Sequence, residues 1–177
     1  MRPVLIFGYG NPSRGDDALG PLLLERIEAE LSGSPVADQV ELLTDFQLQV
    51  EHALDLSGRD LVIFADASLA AGAPYEFCPV APERDSSYTS HTLSPAAVLD
   101  VCRQLDQLPL PPCYLLSIRG YAFELGHPLS DRARYNLAKS LDFMRRLLGR
   151  YAHVFDHGVS PSLLHMDVWV QNILADD

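Results

Sequence analysis

A glycine-rich segment at residues 8–20 constrains the fold more than any other part of the sequence. It reads GYGNPSRGDDALG, follows the short apolar run PVLIF and leads into a segment with helical periodicity. Turns of this kind between a strand and a helix usually bind a phosphate. Here Asp16 and Asp17 would repel a phosphate, and Ser13 stands where a dinucleotide fingerprint needs its third glycine. We therefore expect the turn to direct carboxylates at a cation or a polar peptide.

Length and charge limit the class of protein. The chain has 177 residues, which suits one domain, predicted here at 1–151. The remaining segment, 152–177, has no clear period and predicts no regular structure, so its histidines His153, His157 and His165 are expected on a solvated tail rather than on a metal-binding helix. The net charge of −11 makes nucleic-acid binding unfavourable, because the phosphates would be repelled.

The apolar segments and the cysteines bear on the cellular compartment. No segment approaches the roughly 18 apolar residues of a membrane span, and the apolar run before Gly8 is too short for a secretory signal. The cysteines Cys78, Cys102 and Cys113 are odd in number and widely spaced, as expected of reduced thiols in a cytoplasmic protein. We expect a cytoplasmic monomer with no membrane contact.

Strand-like and helix-like segments alternate along the chain. Strands are predicted at 3–7, 40–44, 60–66, 75–80 and 113–120, the fourth as an edge strand, and helices at 16–31 and 49–56 and after Ser94 and Ser130. The run DLVIFAD at 60–66 is typical of a central strand that is covered on both faces. Such alternation predicts an α/β fold, a three-layer α/β/α sandwich with a mostly parallel twisted sheet of about five strands.

Three side chains with metal-binding or acid–base chemistry are predicted at the carboxyl edge of this sheet, where ligands of parallel sheets bind. Asp17 follows the first strand, Asp66 ends the apolar run at 60–66, and His91 lies in a loop before a helix. Two carboxylates and one imidazole form a partial ligand set for zinc or nickel. The same groups would also suit general acid–base activation of a water molecule.

Each of these residues also has a structural interpretation. An acid in the first turn of a helix is favoured by the helix dipole whatever its function, which applies to Asp16 and Asp17. An aspartate at the end of a strand often caps a turn, as Asp66 would, and a single histidine in a polar loop often has no role. For Asp16 two roles stay open, a base that assists catalysis and a helix cap. The common position of the three residues at one sheet edge favours the functional hypothesis.

With these residues the sequence resembles the maturation endopeptidases of [NiFe] hydrogenases. The resemblance depends first on the pattern G-x-G-N-x-x-x-x-D-D/E-x-x-G, which Gly8, Gly10, Asn11, Asp16, Asp17 and Gly20 satisfy. The strand end Asp66-Ala67, the histidine segment at 91–94 and the segment GHPLS at 126–130 support it. Together these features span residues 3 to about 150.

The resemblance implies an endopeptidase that removes the C-terminal extension of a hydrogenase large-subunit precursor after nickel insertion. The family's metal-contacting residues correspond to Asp17, Asp66 and His91, with Asp16 as a further catalytic candidate. Nickel is expected to arrive with the precursor, so the protease need not hold a metal of its own. The partner implied is therefore the [NiFe] hydrogenase large-subunit precursor.

Two departures from the family pattern concern specificity. Many members have glutamate at the position of Asp17, which is one methylene longer. The region after the second strand is usually glycine-rich, whereas residues 45–52 read DFQLQVEH and resemble the branch that serves bidirectional, NAD-linked hydrogenases. If this segment faces the substrate, we expect it to select the precursor.

Two other functions remain open at the level of sequence. A non-catalytic nickel-binding assembly factor, or metallochaperone, would use the same three residues to hold nickel without cleaving a peptide. A nucleotide-binding α/β enzyme is disfavoured by Ser13 and by the paired acids.

Overall fold

A five-stranded sheet forms the centre of the protein. The computed structural model describes residues 1–84, 93–105, 109–156 and 163–175. The strands are β1 (Val4–Tyr9), β2 (Val40–Asp45), β3 (Leu61–Ser68), β4 (Tyr75–Pro79) and β5 (Cys113–Arg119). Their order is β2-β1-β3-β5-β4, and only the pairing of β4 with β5 is antiparallel. The predicted mostly parallel sheet is confirmed, with β4 at an edge.

Helices cover both faces of this sheet. They are α1 (Leu19–Leu31), α2 (Ala53–Leu56), α3 (Pro95–Leu105), α4 (Asp131–Asp156) and α5 (Leu163–Ala175). Buried residues of α1, α4 and α5 pack on one face, and those of α2 and α3 pack on the other. The predicted three-layer α/β/α sandwich is therefore confirmed. Within the described residues, none of these helices is both long and apolar enough to cross a bilayer.

The central strands are apolar on both faces because each face contacts helices. Along β1, Val4 and Ile6 belong to the apolar cluster beneath α1 and α4, whereas Leu5 and Phe7 belong to the cluster beneath α2 and α3. All six residues of β1 are buried. This pattern explains why period-two alternation of polar and apolar residues is missing from the sequence of this strand.

Glycines allow α1 to lie directly against β1. A Cβ atom at Gly20 would stand 2.5 Å from the backbone oxygens of both Tyr9 and Ala65, and one at Gly8 would stand 2.6 Å from the oxygen of Gly20. Real Cβ atoms do not approach backbone oxygens this closely. The glycines of the motif therefore set the distance between the helix and the strand, and with it the position of the turn that carries Asp17.

The C-terminal segment is more regular than the sequence predicts. Helix α4 continues through residue 151 to Asp156, and α5 follows in a segment for which the sequence predicted no regular structure. Val170 and Ile173 of α5 are buried in the cluster beneath α4. The helix was missed because the apolar residues around Val168 are consecutive and show no single stripe. The predicted domain limit at residue 151 itself stays a prediction.

We predict that Gly20→Ala destabilises the protein although alanine is the better helix former. The clash with two backbone oxygens should outweigh the gain of about 1 kcal/mol in helix propensity and lower the free energy of unfolding by about 2 kcal/mol. Gly149→Ala is the matched control, since Gly149 is exposed on α4 and a Cβ there meets nothing within 4 Å. Urea denaturation should show Gly149→Ala as neutral or stabilising, and equal stability of the two variants would contradict the packing argument.

Candidate catalytic and metal-contacting site

The carboxyl ends of β1, β2 and β3 lie side by side because the three strands are parallel. Tyr9 pairs with Asp45 across β1 and β2. On the other side Gly8 pairs with Ala65, so that Tyr9 and Asp66 are the next residues along their strands. Tyr9 follows the alternation of Leu5 and Phe7 toward α2 and α3, and Asp66 follows Phe64 on that same face. Tyr9, Asp45 and Asp66 thus meet at one edge of the sheet.

Asp17 is brought to this edge by the glycine-rich turn. It lies in a 3₁₀ turn, Gly15–Ala18, which precedes α1 where the sequence predicted the first turn of an α-helix. The backbone N–H of Asn11 donates a hydrogen bond to Asp17 Oδ2 at 3.0 Å. Gly10 has φ of +137°, and a Cβ there would stand 2.0 Å from the Asp17 backbone oxygen. Only glycine therefore lets the turn close over Asp17.

The pKa of Asp66 is raised above the ordinary value of an aspartate. Its burial raises the pKa to about 7, while hydrogen bonds from the Tyr9 hydroxyl and the Ala67 N–H, the latter at 2.8 Å, act to lower it. The negative charge of Asp17 raises the Asp66 pKa further. Asp17 and Asp66 thus lie at the same end of the sheet, and the metal-contacting role that the sequence predicts for them stays a prediction.

Tyr9 is the neighbour of Asp66 that sequence reasoning missed. Burial, followed by the negative charge of Asp66, raises the pKa of the Tyr9 phenol far above its ordinary value. The hydroxyl therefore keeps its proton and donates it in a hydrogen bond to the Asp66 carboxylate. Tyr9 lies between two glycines of the motif, at the end of the strand that neighbours the strand of Asp66. This position was the feature of the sequence that could have identified it as a site residue.

A second acidic residue at this edge, Asp45, was also missed. His52 Nε2 lies 3.4 Å from Asp45 Oδ2, and His52 Nδ1 accepts a hydrogen bond from the Gln49 N–H at 3.0 Å. A neutral His52 ring therefore carries its proton on Nε2, directed toward Asp45. Asp45 ends a parallel strand, and this position in the sequence could have identified it as a residue of the site.

Asp16 has a different environment from its neighbour Asp17. It is fully buried, and its Oδ2 accepts hydrogen bonds from the N–H groups of Tyr121 at 2.8 Å and Ala122 at 3.1 Å. Ser130 donates its N–H to Oδ1 and its hydroxyl to Oδ2, both at 2.7 Å. Burial acts to raise the Asp16 pKa, but these bonds outweigh it and hold the pKa below its ordinary value.

These contacts favour a positioning role for Asp16 over the catalytic role that the sequence left open. A carboxylate that accepts four hydrogen bonds has little capacity to take a proton from water. Its partners belong to the segment between β5 and α4 and not to its own helix, so it is not a simple helix cap either. Asp16 joins the Asp17 turn to that segment.

The predicted third ligand, His91, lies outside the described residues, as does His157. His153 is described and is exposed on α4. Across residues 1–84, 93–105, 109–156 and 163–175, no group of three or more His, Cys, Asp or Glu side chains is placed to hold a metal ion. The predicted set of Asp17, Asp66 and His91 therefore stays a prediction.

The three cysteines form no disulfide, and their environments differ. Cys102 and Cys113 are buried, whereas Cys78 is exposed. The Cys113 thiol donates to the Pro111 oxygen at 3.3 Å, and burial raises its pKa, so that it stays protonated at neutral pH. These features disfavour Cys113 as a nucleophile.

The carboxylate pair Asp17–Asp66 is suited to two kinds of chemistry. A divalent cation between the carboxylates would relieve their repulsion and release the proton from Asp66. Without a cation, a carboxyl group with a pKa of about 7 is poised to exchange a proton with water at neutral pH. Both kinds of chemistry are used in the hydrolysis of peptide bonds.

Several solved structures share this fold. The [NiFe] hydrogenase maturation protease HycI from Thermococcus kodakarensis KOD1 is 24% identical to this chain, with a TM-score of 0.62 over 82% of this chain and 92% of that one. The hydrogenase maturating endopeptidase HybD from E. coli is also 24% identical, with a TM-score of 0.60 over 90% of this chain and 96% of that one. An uncharacterized protein from Wolinella succinogenes is 19% identical, with a TM-score of 0.56 over 85% of this chain and 99% of that one.

These similarities concern the fold. No model of a protein family matches the chain, and no curated protein matches it in sequence. The fold that the sequence resemblance implies is confirmed, because the chain shares its architecture with structures of hydrogenase maturation proteases over most of each chain.

We predict that Asp16→Asn lowers the free energy of unfolding by about 2–4 kcal/mol at neutral pH, because buried donors lose their acceptor. The folded pKa of Asp16 is depressed, so its stabilisation is present above the ordinary value of 3.8 and is lost as pH falls through the lower folded pKa. The variant should lack this part of the acid destabilisation. The stability is measured by urea denaturation between pH 2.5 and 7, with Asp142→Asn on the exposed face of α4 as the control. Equal stability of the two variants would refute the stabilising role of Asp16.

We predict that the Asp66 carboxyl group titrates with a midpoint of about 7 in the free protein. Asp17→Asn should lower this midpoint because it removes a negative charge, and Tyr9→Phe should raise it because it removes a hydrogen bond to the carboxylate. The measurement is carboxyl ¹³C NMR as a function of pH. A midpoint near 4 in the unaltered protein, or shifts of the opposite sign, would contradict the described pair.

Proposed function

We propose that this protein is an endopeptidase that removes the C-terminal extension of a [NiFe] hydrogenase large-subunit precursor after nickel insertion. The observation that carries the proposal is the coupled pair Asp17–Asp66 at the carboxyl edge of the sheet. This pair lies in a fold that the chain shares with hydrogenase maturation proteases. We also propose that the enzyme acts in the cytoplasm as a monomer.

In this proposal the nickel is part of the substrate. Asp17 and Asp66 contact the nickel that the precursor carries, and His91 completes the contact. The metal thereby anchors the cleavage segment beside the carboxylates. A water molecule attacks the carbonyl carbon of the scissile bond, and its proton passes through a carboxylate to the leaving amine.

The repulsion between the carboxylates supplies a reason for nickel dependence. In the absence of a cation, Asp17 favours the protonated form of Asp66, which is a poor metal ligand. A precursor that presents a divalent cation turns this repulsion into attraction. A precursor without nickel has no group that relieves it, so we expect its cleavage segment to bind weakly.

The segment at 45–52 is suited to contact the precursor. Phe46 keeps 67% of its surface exposed. It borders a pocket that the motif residues Gly10 and Pro12 line together with Asp45. This placement supports the hypothesis that the segment selects the precursor. From the sequence of residues 45–52 we also propose that the enzyme belongs with the branch serving bidirectional, NAD-linked hydrogenases.

We predict that the nickel-loaded precursor loses one discrete C-terminal peptide in the presence of this protein and that the nickel-free precursor does not. Intact-mass spectrometry measures the loss directly. Asp17→Asn, Asp66→Asn and His91→Ala should each reduce the processing rate by about 100-fold or more, because each removes a contact with the metal. Asp142→Asn, an exposed carboxylate on α4, should process normally.

The alternatives give different results in the same experiment. Stoichiometric retention of nickel without release of a peptide from several cognate precursors would favour an assembly factor over a protease. Normal processing by His91→Ala would remove His91 from the site and leave the protease function intact.

A further inference from the structure

A cationic aromatic cleft lies beside the proposed site. The guanidinium carbon of Arg132 stands 3.8 Å from the ring centroid of Tyr121, and that of Arg119 stands 5.3 Å from the same centroid. Tyr135, which is 61% exposed, forms another wall. Tyr121, Arg132 and Tyr135 line one pocket together with Ala73, Asp131 and Asn136. Arg119 is not a lining residue but contacts the Tyr121 ring. We refer to this pocket as the Tyr121 cleft.

Buried hydrogen bonds hold the Tyr121 cleft in shape. Asn136, which is 3% exposed, donates its side-chain N–H groups to the Arg119 backbone oxygen at 2.8 Å and to the Tyr121 hydroxyl at 3.2 Å. Arg119 donates a further hydrogen bond to the Ala71 oxygen at 3.0 Å. The cleft is therefore a preformed feature of the edge where β5 meets α4.

The arginines at the cleft form no ion pair within the described part of the chain. Arg119 and Arg132 have no described carboxylate oxygen within 4.0 Å, whereas Arg59 and Arg103 each pair with one carboxylate and Arg145 with two. Asp131 lines the cleft, but its side chain is fully exposed and lies 4.0 Å from Arg134. Among the described residues, the two guanidinium groups at the Tyr121 ring are therefore not ion-paired, although the chain has a net charge of −11.

The position of the cleft connects it to the cleavage site. The Tyr121 N–H donates to Asp16 Oδ2 at 2.8 Å, and Asp16 is adjacent in sequence to Asp17. The cleft is thus joined through the buried Asp16 carboxylate to the turn that carries Asp17.

We propose that the Tyr121 cleft binds an acidic side chain of the precursor, within a few residues of the bond that is cleaved. The proposal rests on the proposed function, because it assigns the cleft to that substrate. A guanidinium group stacked on an aromatic ring keeps its N–H edge available for a carboxylate, which it binds in a bidentate manner. A long polyanion such as nucleic acid is disfavoured by the overall negative charge.

The test compares two arginine variants on the same helix. Arg132→Gln removes the charge over Tyr121, and Arg150→Gln removes one 18 residues further along α4, roughly 27 Å away. We expect Arg132→Gln to raise KM for the nickel-loaded precursor at least about threefold at low salt while kcat changes little. The difference should shrink at about 0.5 M salt, since the contact is electrostatic. Arg150→Gln should change neither constant.

Substrate variants identify the acidic partner. Each Asp or Glu near the cleavage bond is replaced in the precursor by Asn or Gln, and KM is measured with the unaltered enzyme and with Arg132→Gln. For the partner residue, the two substitutions together should raise KM no more than either one alone. An unchanged KM for Arg132→Gln, or full additivity at every position, would overturn the proposal while processing by the unaltered protein continues.

Failure of the proposed function would be seen separately. If the unaltered protein processes no precursor, the dissociation constant for the precursor is measured by calorimetry with the unaltered protein and with Arg132→Gln. A weakening of at least about threefold that disappears at high salt would retain the cleft as an acidic-peptide site. Equal dissociation constants would reject it.

Discussion

The buried carboxylate of Asp16 connects the two loops from which the candidate site is built. Its oxygens accept hydrogen bonds from Tyr121, Ala122 and Ser130, which follow β5, while its own backbone belongs to the turn that carries Asp17. The backbone adds further links, since the Asp16 N–H donates to the Ala122 oxygen at 2.7 Å. A charged acceptor is well suited to this position because several N–H donors converge there without other partners. The Asp16 side chain and these backbone bonds together fix the placement of Asp17 relative to the Tyr121 cleft.

Adjacent aspartates have opposite tasks because the turn directs them to opposite environments. Asp16 is surrounded by donors and is held ionised. Asp17 accepts a hydrogen bond from the Asn11 N–H and shares its edge of the sheet with Asp66. The 3₁₀ turn and Gly10 make this division possible, since the turn needs the backbone conformation that glycine allows. Asp16 thus holds the turn in place, whereas its neighbour Asp17 is the residue proposed to contact a ligand.

The strands and the position of Asp66 near the carboxyl end of one of them could be predicted from the sequence, because both depend on local pattern. An apolar run that ends in Asp66 predicts a buried strand and places its last residue at the carboxyl edge. The task of Asp16 could not be predicted, because its hydrogen-bond partners are 105 to 114 positions away in sequence. Tyr9 was missed for a related reason, since its contact with Asp66 crosses between strands. Helix α5 was missed because its burial depends on α4 rather than on a stripe of its own.

Charge is distributed unevenly around the proposed site, and this distribution has a consequence for how a substrate is oriented. The edge formed by β1 and β3 carries the carboxylates of Asp17 and Asp66, which attract a cation. The edge formed by β5 and α4 carries Arg119 and Arg132, which attract an anion. A peptide with a metal at one point and a carboxylate a few residues away would match both edges in one direction and would meet repulsion in the other. Electrostatic complementarity of this kind sets register more than affinity. If the protein is the proposed endopeptidase, this polarity supplies a physical basis for cleaving one bond in one orientation.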